Sequence, residues 1–165
     1  MEEVFAEYIV KSKTTGKSIL LRCAIIFGML LSVFSIPLLG ILGVTVTALM
    51  IYGVWYVFTI TDIEFEYSIV NTDIVIDKIM GQRKRKRAAE YDLKKADLIA
   101  YANSEHMERY KGGVKIEDYS SRTGSDSVVA VIFPEGAEMK ALFFEPNERI
   151  IDAMRRVRPG IMKLD

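Results

Sequence analysis

Five consecutive cations, Arg83–Arg87, are the residues with the clearest chemical consequence in this sequence. Side chains alternate across a strand, so a basic run on a strand would place at least two cations on a buried face, which is costly. We therefore expect the run to lie at a sheet edge or to project beyond the core. A cation at a membrane surface gains about 1 kcal/mol from anionic lipid headgroups. The candidate anionic-lipid contacts are Lys78, Arg83, Lys84, Arg85, Lys86 and Arg87.

Two other interpretations of this basic run (Arg83–Arg87) stay open. The run can be a solvated strand end that also acts as a positive-inside topology signal. Nucleic-acid binding is disfavoured, because residues 62–165 carry 18 Lys and Arg against 19 Asp and Glu, and the run lacks interleaved aromatic residues.

Residues suited to catalysis are scarce. The chain has one His, His106, and one Cys, Cys23, so a Cys–His dyad or a multi-His metal site cannot be assembled. We predict no catalytic residue, no metal and no cofactor. Glu64 and Glu66 share one strand face, which we interpret as the solvated face of a sheet, and His106 as a surface residue. Three tyrosines could line a pocket, although packing at the core or its rim is favoured: Tyr101, Tyr110 and Tyr119.

The elements that must position the basic run begin with a segment of 39 residues, Cys23–Thr61, that has no charged residue. About 20 apolar residues cross a bilayer, so the segment is long enough to cross twice. Pro37 and Gly40 allow the chain to reverse. We predict a transmembrane helical hairpin, roughly Ile19 to Ile36 and Ile41 to Ile60. The alternative is one long buried helix or a soluble core segment.

Loop charges predict the orientation of this hairpin in a plasma membrane. Lys11, Lys13 and Lys17 precede the first span, the basic run follows the second, and the turn between them is uncharged. Arg22 lies at the edge of the first span, where its side chain can reach the interface. Both termini are therefore expected to be cytoplasmic, and the acidic start of the chain argues against a cleaved signal peptide. Small residues recur in the spans and pack the two helices together or mediate a homodimer: Gly28, Ser32, Gly43, Thr47 and Gly53.

The N-terminal segment, residues 1–17, shows apolar residues at helical spacing. Val4, Phe5, Tyr8 and Ile9 would share one face, with acids early and lysines late. We predict an interfacial helix lying on the inner membrane surface, with a frayed tail as the alternative.

After the spans, at residue 62, the pattern changes to period-2 alternation. About seven strands are predicted by alternation and turn residues, in the ranges 63–69, 74–80, 84–91, 97–102, 114–119, 128–133 and 139–144. An amphipathic helix begins near Pro146 and ends before Pro159. The fold class is therefore α+β, in three parts: an N-terminal segment 1–17, a helical hairpin 18–61 and an antiparallel β-sandwich or barrel 62–165 with a C-terminal helix.

Seven short antiparallel strands followed by one helix are the order of elements in the pleckstrin-homology (PH) superfold. The stretches 64–67 and 73–79, the basic run, and the segments 8–11 and 144–148 resemble a family of small bacterial two-span membrane proteins defined only as a domain of unknown function. Its soluble part is PH-like. The resemblance implies an architecture and supplies no activity, because this superfold hosts lipid binders, peptide binders and scaffolds.

Two functions fit these expectations. The first is a non-catalytic, membrane-anchored binding or scaffold module that the basic run holds near the inner leaflet, with a protein partner at an edge strand or groove. The second is an accessory subunit of a membrane enzyme or transport complex, in which the helical hairpin makes the essential contacts.

Overall fold

The structure, a computed structural model, describes residues 5–110, 112–136 and 138–164. In chain order the elements are β1 (Phe5–Lys11), α1 (Gly16–Val33), α2 (Ile36–Leu39), α3 (Ile41–Thr61), β2 (Ile63–Val70), β3 (Asp73–Met80), β4 (Lys84–Asp92), β5 (Leu98–Tyr101), β6 (Val114–Asp118), β7 (Val129–Glu135), β8 (Glu138–Phe144), α4 (Glu148–Val157) and β9 (Met162–Lys163). Short 3-10 turns at Leu93–Lys95, Glu105–Tyr110 and Pro159–Ile161 join some of them.

The chain divides into two compact units. The helical unit contains Thr14–Ile63 together with Met80–Lys84, which is the tip of the β3–β4 hairpin. The β unit contains β1, Glu64–Ile79 and the chain from Arg85 onward. The tip of one β-hairpin therefore belongs with the helices.

The helical unit has the predicted reversal between two long helices. Pro37 lies in the first turn of the short helix α2, and Gly40 adopts a positive φ of 55° just before α3. Helices α1 and α3 are long and apolar enough to cross a membrane, and their apolar windows are only 6% and 11% buried within the chain. A soluble core helix would be mostly buried, so the single-core alternative does not describe these helices.

Small residues let the helices of this unit approach closely. A Cβ atom at Gly43 would come within 2.6 Å of the Ile36 Cα, and one at Gly53 would contact the Ile25 side chain at 3.5 Å. The Thr47 hydroxyl donates to the Ser32 carbonyl across the helices at 3.1 Å. Gly43, Gly53 and Thr47 therefore pack the helices of one chain together, which was the first of the two roles predicted for the small residues; the second was a homodimer.

The first sheet of the β unit has the order β1-β2-β3-β4. Strand β1 pairs antiparallel with β2, from Phe5 opposite Val70 to Lys11 opposite Glu64. The predicted interfacial helix is therefore wrong for the described residues; Val4 lies outside them. Ala6, Tyr8 and Val10 are alternate residues of the strand, and Ala6 and Val10 are buried. The segment therefore also carries a period-2 pattern of apolar residues, and the pairing with β2 selects it.

The second sheet has the order β6-β8-β7-β5-β9. Its β7–β8 and β5–β7 pairs are antiparallel, but β6 pairs parallel with β8 and β9 pairs parallel with β5. All seven predicted strands are present. The sheets also contain β1 and β9, which were not predicted. The expected sandwich therefore has nine described strands in two sheets, and it is not purely antiparallel.

Aromatic rings from the two sheets meet in the core. Tyr67 of β2 packs edge-to-face on Phe144 of β8 at 5.2 Å, and Tyr91 of β4 stacks on Phe133 of β7 at 4.6 Å. The Tyr67 hydroxyl donates to the Tyr119 carbonyl at 2.6 Å, which satisfies it in the core.

The C-terminal helix α4 forms as the sequence predicts. The Asn147 side chain accepts a hydrogen bond from the Ile150 amide at 3.0 Å and caps the first turn. Ile150 and Met154 are fully buried, and the helix packs against β1. The helix is thus part of the core of the β unit.

Candidate functional site

The basic run begins in a turn and continues along an edge strand. Gly81, Gln82 and Arg83 form the turn, and β4, the last strand of its sheet, starts at Lys84. All five side chains, Arg83 to Arg87, are exposed. The expected position at a sheet edge is therefore confirmed.

The turn is held against the end of α3. The Gly81 amide donates to the Asp62 carbonyl at 2.9 Å. Gly81 has a positive φ of 57°, and a Cβ atom there would lie 2.4 Å from the Thr59 Cγ2. The β3–β4 hairpin therefore returns to the end of α3, where Gly81 contacts Thr59 and Asp62. Arg83 and Lys84 are thus positioned beside the last turn of α3 by backbone geometry.

The rest of the run carries charge on both faces of β4. Strand alternation places Arg85 and Arg87 on one face and Lys84 and Lys86 on the other. Arg85 forms an ion pair with Glu66, and Arg87 lies 3.7 Å from Asp77 and 2.8 Å from Glu90. Within the described residues these are the ion pairs of the run, so its lysines keep their charge unbalanced.

Glu66 is the residue of this region whose burial differs most from the prediction. We predicted that Glu64 and Glu66 lie on a solvated face, but Glu66 is 1% exposed and Glu64 is half-buried. Ile9 of β1 lies opposite Glu66, and Arg85 reaches over it from β4. The prediction was wrong because neighbouring strands cover this face, which alternation within one strand does not reveal.

The environment of Glu66 favours its neutral form. Burial raises the pKa of Glu66 to about 7, and a hydrogen bond with Glu7 and the charges of Glu7 and Asp77 add to the rise, while Arg85 opposes it. The Oε2 atom meets Arg85 as an ion pair without a well-directed hydrogen bond. The charge of Arg85 is therefore less fully neutralised near neutral pH than its contact distance suggests.

Lys78 is less exposed than the cations of the basic run. It is half-buried near the end of β3, and alternation places it on the face of that strand that carries the buried Ile74 and Ile76. The structure thus brings Arg83–Arg87 together along one edge and leaves Lys78 beside it.

The residues considered for catalysis do not converge. Among the described residues no group of three or more His, Cys, Asp or Glu side chains could hold a metal ion. His106 is exposed, as predicted. Tyr110 packs against the cluster that includes Met107, whereas Tyr119 packs edge-to-face on Phe65. The three tyrosines therefore do not form one pocket, and Tyr101 lines a separate cleft.

Tyr91 and Tyr119 of the β unit are held in their protonated form. Tyr91 and Tyr119 both donate to the Glu117 carboxylate, at 3.1 and 3.3 Å. Burial and that carboxylate raise the pKa of Tyr119 to about 12. The two hydroxyls and this carboxylate therefore form one hydrogen-bonded cluster within the β unit.

The family described as a bacterial PH-like domain (DUF6106) matches residues 2–164, nearly the whole chain. The match includes the two apolar helices as well as the sandwich and its final helix. No match was found among curated proteins or solved structures.

Proposed function

We propose that this chain, which belongs to the bacterial PH-like domain family, is a non-catalytic, membrane-anchored binding or scaffold module. Helices α1 and α3 would cross the membrane, and the basic run would hold the β unit near anionic headgroups of the inner leaflet. The proposal gains support from the family, since PH-like domains are generally non-catalytic.

One observation carries the proposal, the contact between the β3–β4 turn and the end of α3. If α3 crosses the bilayer, its end lies at the surface, and Gly81 keeps Arg83 and Lys84 within reach of headgroups. Each cation near an anionic surface contributes about 1 kcal/mol, and the attraction falls off within a Debye length of about 8 to 10 Å. A turn fixed at that end is the right place for such a contact.

The accessory-subunit alternative has less support. Small residues that would face a partner helix are needed for close helix association in a membrane. Gly43 and Gly53 instead meet Ile36 and Ile25 of the same chain. The outward surface of both helices carries large apolar side chains, which suit contact with lipid tails.

A test of lipid contact uses the full-length chain in nanodiscs of phosphatidylcholine with or without phosphatidylglycerol. Amide hydrogen exchange of residues 80–92 should slow when the anionic lipid is present, and high salt should abolish the difference. The double variant Lys84→Gln/Lys86→Gln should lose most of the slowing. Equal exchange in both lipids, or slowing that survives high salt, would contradict the proposal.

The chain offers a matched control for that variant. Lys94 and Lys95 are also exposed, follow the same strand and sit in a 3-10 turn. Lys94→Gln/Lys95→Gln removes the same charge and should leave the lipid-dependent slowing unchanged. An equal loss in both variants would assign the effect to net charge alone.

Membrane topology is tested separately. A cysteine placed at Leu39, in a Cys23→Ser background, should react with an impermeant thiol reagent on intact cells, because the uncharged turn is expected outside. A cysteine at Lys163 should not react until the cells are opened. The reverse pattern would place the β unit outside and end the inner-leaflet proposal.

A further inference from the structure

A second polar feature of the helical unit is a cleft of about 430 Å³ at the end of α3. Arg22 of α1, Trp55 and Phe58 of α3, and Gln82 of the β3–β4 turn line it, and all belong to the same compact unit. Its volume is within the range of small-molecule sites, roughly 300 to 1,000 Å³. The sequence suggested for Arg22 only a side chain that reaches toward the interface.

Arg22 is held in a defined orientation inside this cleft. Its Nε donates to the Thr61 hydroxyl at 2.7 Å, and its guanidinium carbon lies 4.8 Å from the centre of the Phe58 ring. The Nε bond and the ring contact fix the plane of the group, so little rotational freedom remains to be lost on binding a ligand. The two terminal nitrogens are the donors that a ligand in the cleft would meet, and their fork suits two oxygens of one phosphate.

The other walls of the cleft indicate which phosphate it suits. Trp55 is 50% exposed, and tryptophan prefers the headgroup region, where an apolar ring meets a polar surface. Asp62 also lines the cleft and makes a dianionic phosphate monoester less favourable than a phosphodiester of one negative charge. The cleft thus combines the Arg22 guanidinium, the Trp55 ring and the Gln82 amide at the end of a long apolar helix. These groups suit the phosphate, the glycerol region and the polar end of a phospholipid headgroup.

We propose that this cleft binds the phosphodiester of a membrane phospholipid headgroup, with Arg22 as the anion-binding residue and Trp55 against the glycerol and first acyl carbons. The proposal rests on the membrane anchoring of the proposed function but not on the basic run. The basic run would be attracted to an anionic membrane surface without binding any particular lipid molecule. The cleft, in contrast, would bind individual lipid molecules.

Trp55 is the single tryptophan of the chain, so all tryptophan fluorescence comes from a residue that lines this cleft. The full-length chain in maltoside detergent should show a saturable change in Trp55 emission when short-chain phosphatidylglycerol or phosphatidylcholine is added. Arg22→Gln should weaken the apparent affinity at least tenfold, and Arg22→Lys should give an intermediate loss, because lysine keeps the charge but not the fork. The same lipids should act on the Lys84→Gln/Lys86→Gln chain as on the parent.

The source of the phosphate is distinguished by two further titrations. Inorganic phosphate and glycerol phosphate should cause little change at concentrations where the short-chain lipids saturate. If they bind as well as the lipids, the cleft is a site for soluble phosphate and the lipid proposal is overturned. If Arg22→Gln leaves the emission change intact, the proposal is also overturned. If only Lys84→Gln/Lys86→Gln abolishes the emission change, the lipid binds at the basic run and not in this cleft.

Misfolding of the Arg22 variants is checked by their helical circular dichroism and by elution as a single species. Should Arg22→Gln fail this check, Gln82→Ala tests the same cleft from an exposed turn position. It should weaken lipid binding two- to fivefold, and an unchanged affinity would then contradict a headgroup that spans the cleft from Arg22 to the turn.

Discussion

In the β unit most large apolar side chains point inward, with Phe5, Ile9 and Ile116 among the exceptions, whereas in the helical unit most point outward. Ile150 and Met154 have no exposed surface, while Leu38 and Ile41 are 83% and 82% exposed. The helical unit buries small residues instead, with Gly43 against the backbone of α2. Water penalises an exposed apolar surface of this size, and the two helices that carry it are long and apolar enough to cross a membrane.

Shortening a large side chain should affect the two units very differently. Met154→Ala removes buried contacts from the β core and should lower the free energy of unfolding by about 2 to 5 kcal/mol. Leu38→Ala, at an exposed position of the helical unit, should change it by less than about 0.5 kcal/mol. Chemical denaturation of the full-length chain in detergent measures both. Equal losses would remove the contrast between the units.

Enlarging a small residue should show the opposite pattern. Gly43→Val would force a side chain into the Ser35–Ile36 backbone and should destabilise the helical unit by about 1 to 3 kcal/mol or prevent its folding. Gly16→Ala is the control, because no atom lies within 4 Å of its added Cβ. Thermal melting in detergent, followed by helical circular dichroism, should show a clear shift for the first variant alone.

The buried carboxyl of the β unit makes stability depend on pH. The pKa of Glu66 is raised from 4.5 to about 7, so folding favours the protonated form. This contribution is complete below the unfolded pKa and is lost as the pH rises through about 7. The free energy of unfolding should fall by roughly 1 to 3 kcal/mol between about pH 5 and pH 8.

Glu66→Gln should remove most of that dependence, because the amide mimics the protonated acid. Glu64→Gln, on the same strand face, is the control and should keep the slope. Denaturation curves at several pH values decide the matter. A slope that persists in Glu66→Gln would assign the titration to other groups.

The smallest expected effect concerns the turn between β3 and β4. Gly81→Ala and Gly136→Ala both place a side chain at a positive φ, at 57° and 64°, which costs about 1 to 2 kcal/mol. Only Gly81 also faces Thr59 closely; an added Cβ at Gly136 has no atom within 4 Å. The additional cost at Gly81 should be about 1 kcal/mol and should appear as faster amide exchange in residues 80–84. Equal exchange in the two variants would show that the turn does not depend on its contact with α3.

Local patterns predicted the elements that local physics determines. The alternation from Ile63 to Ile69, the amphipathic pattern between Pro146 and Pro159, and the uncharged stretch around Pro37 each signal an element within a few residues. The structure agrees with those predictions to within about two residues at most ends, which is the usual spread for element boundaries.

The predictions that were wrong all concern features that local patterns do not determine. Strand β1, the parallel β6–β8 pair and the burial of Glu66 each depend on a partner strand far along the chain. The segment 5–11 satisfies two periods at once, and its pairing with 64–70 chooses between them. A cap or a turn shows its partner within a few residues, but a strand pairing does not.

The sequence by itself determined the two apolar helices, the seven central strands, the final helix and the position of the basic run at a strand end, because each follows from side-chain period, length or charge. Only the tertiary structure decided how the run is divided. It holds Arg83 and Lys84 at α3 through Gly81, and it places Arg85 against the buried carboxyl group of Glu66. It also orients Arg22 between Thr61 and Phe58. These outcomes depend on distances between residues up to 39 positions apart, which a folded chain sets and a local pattern does not contain.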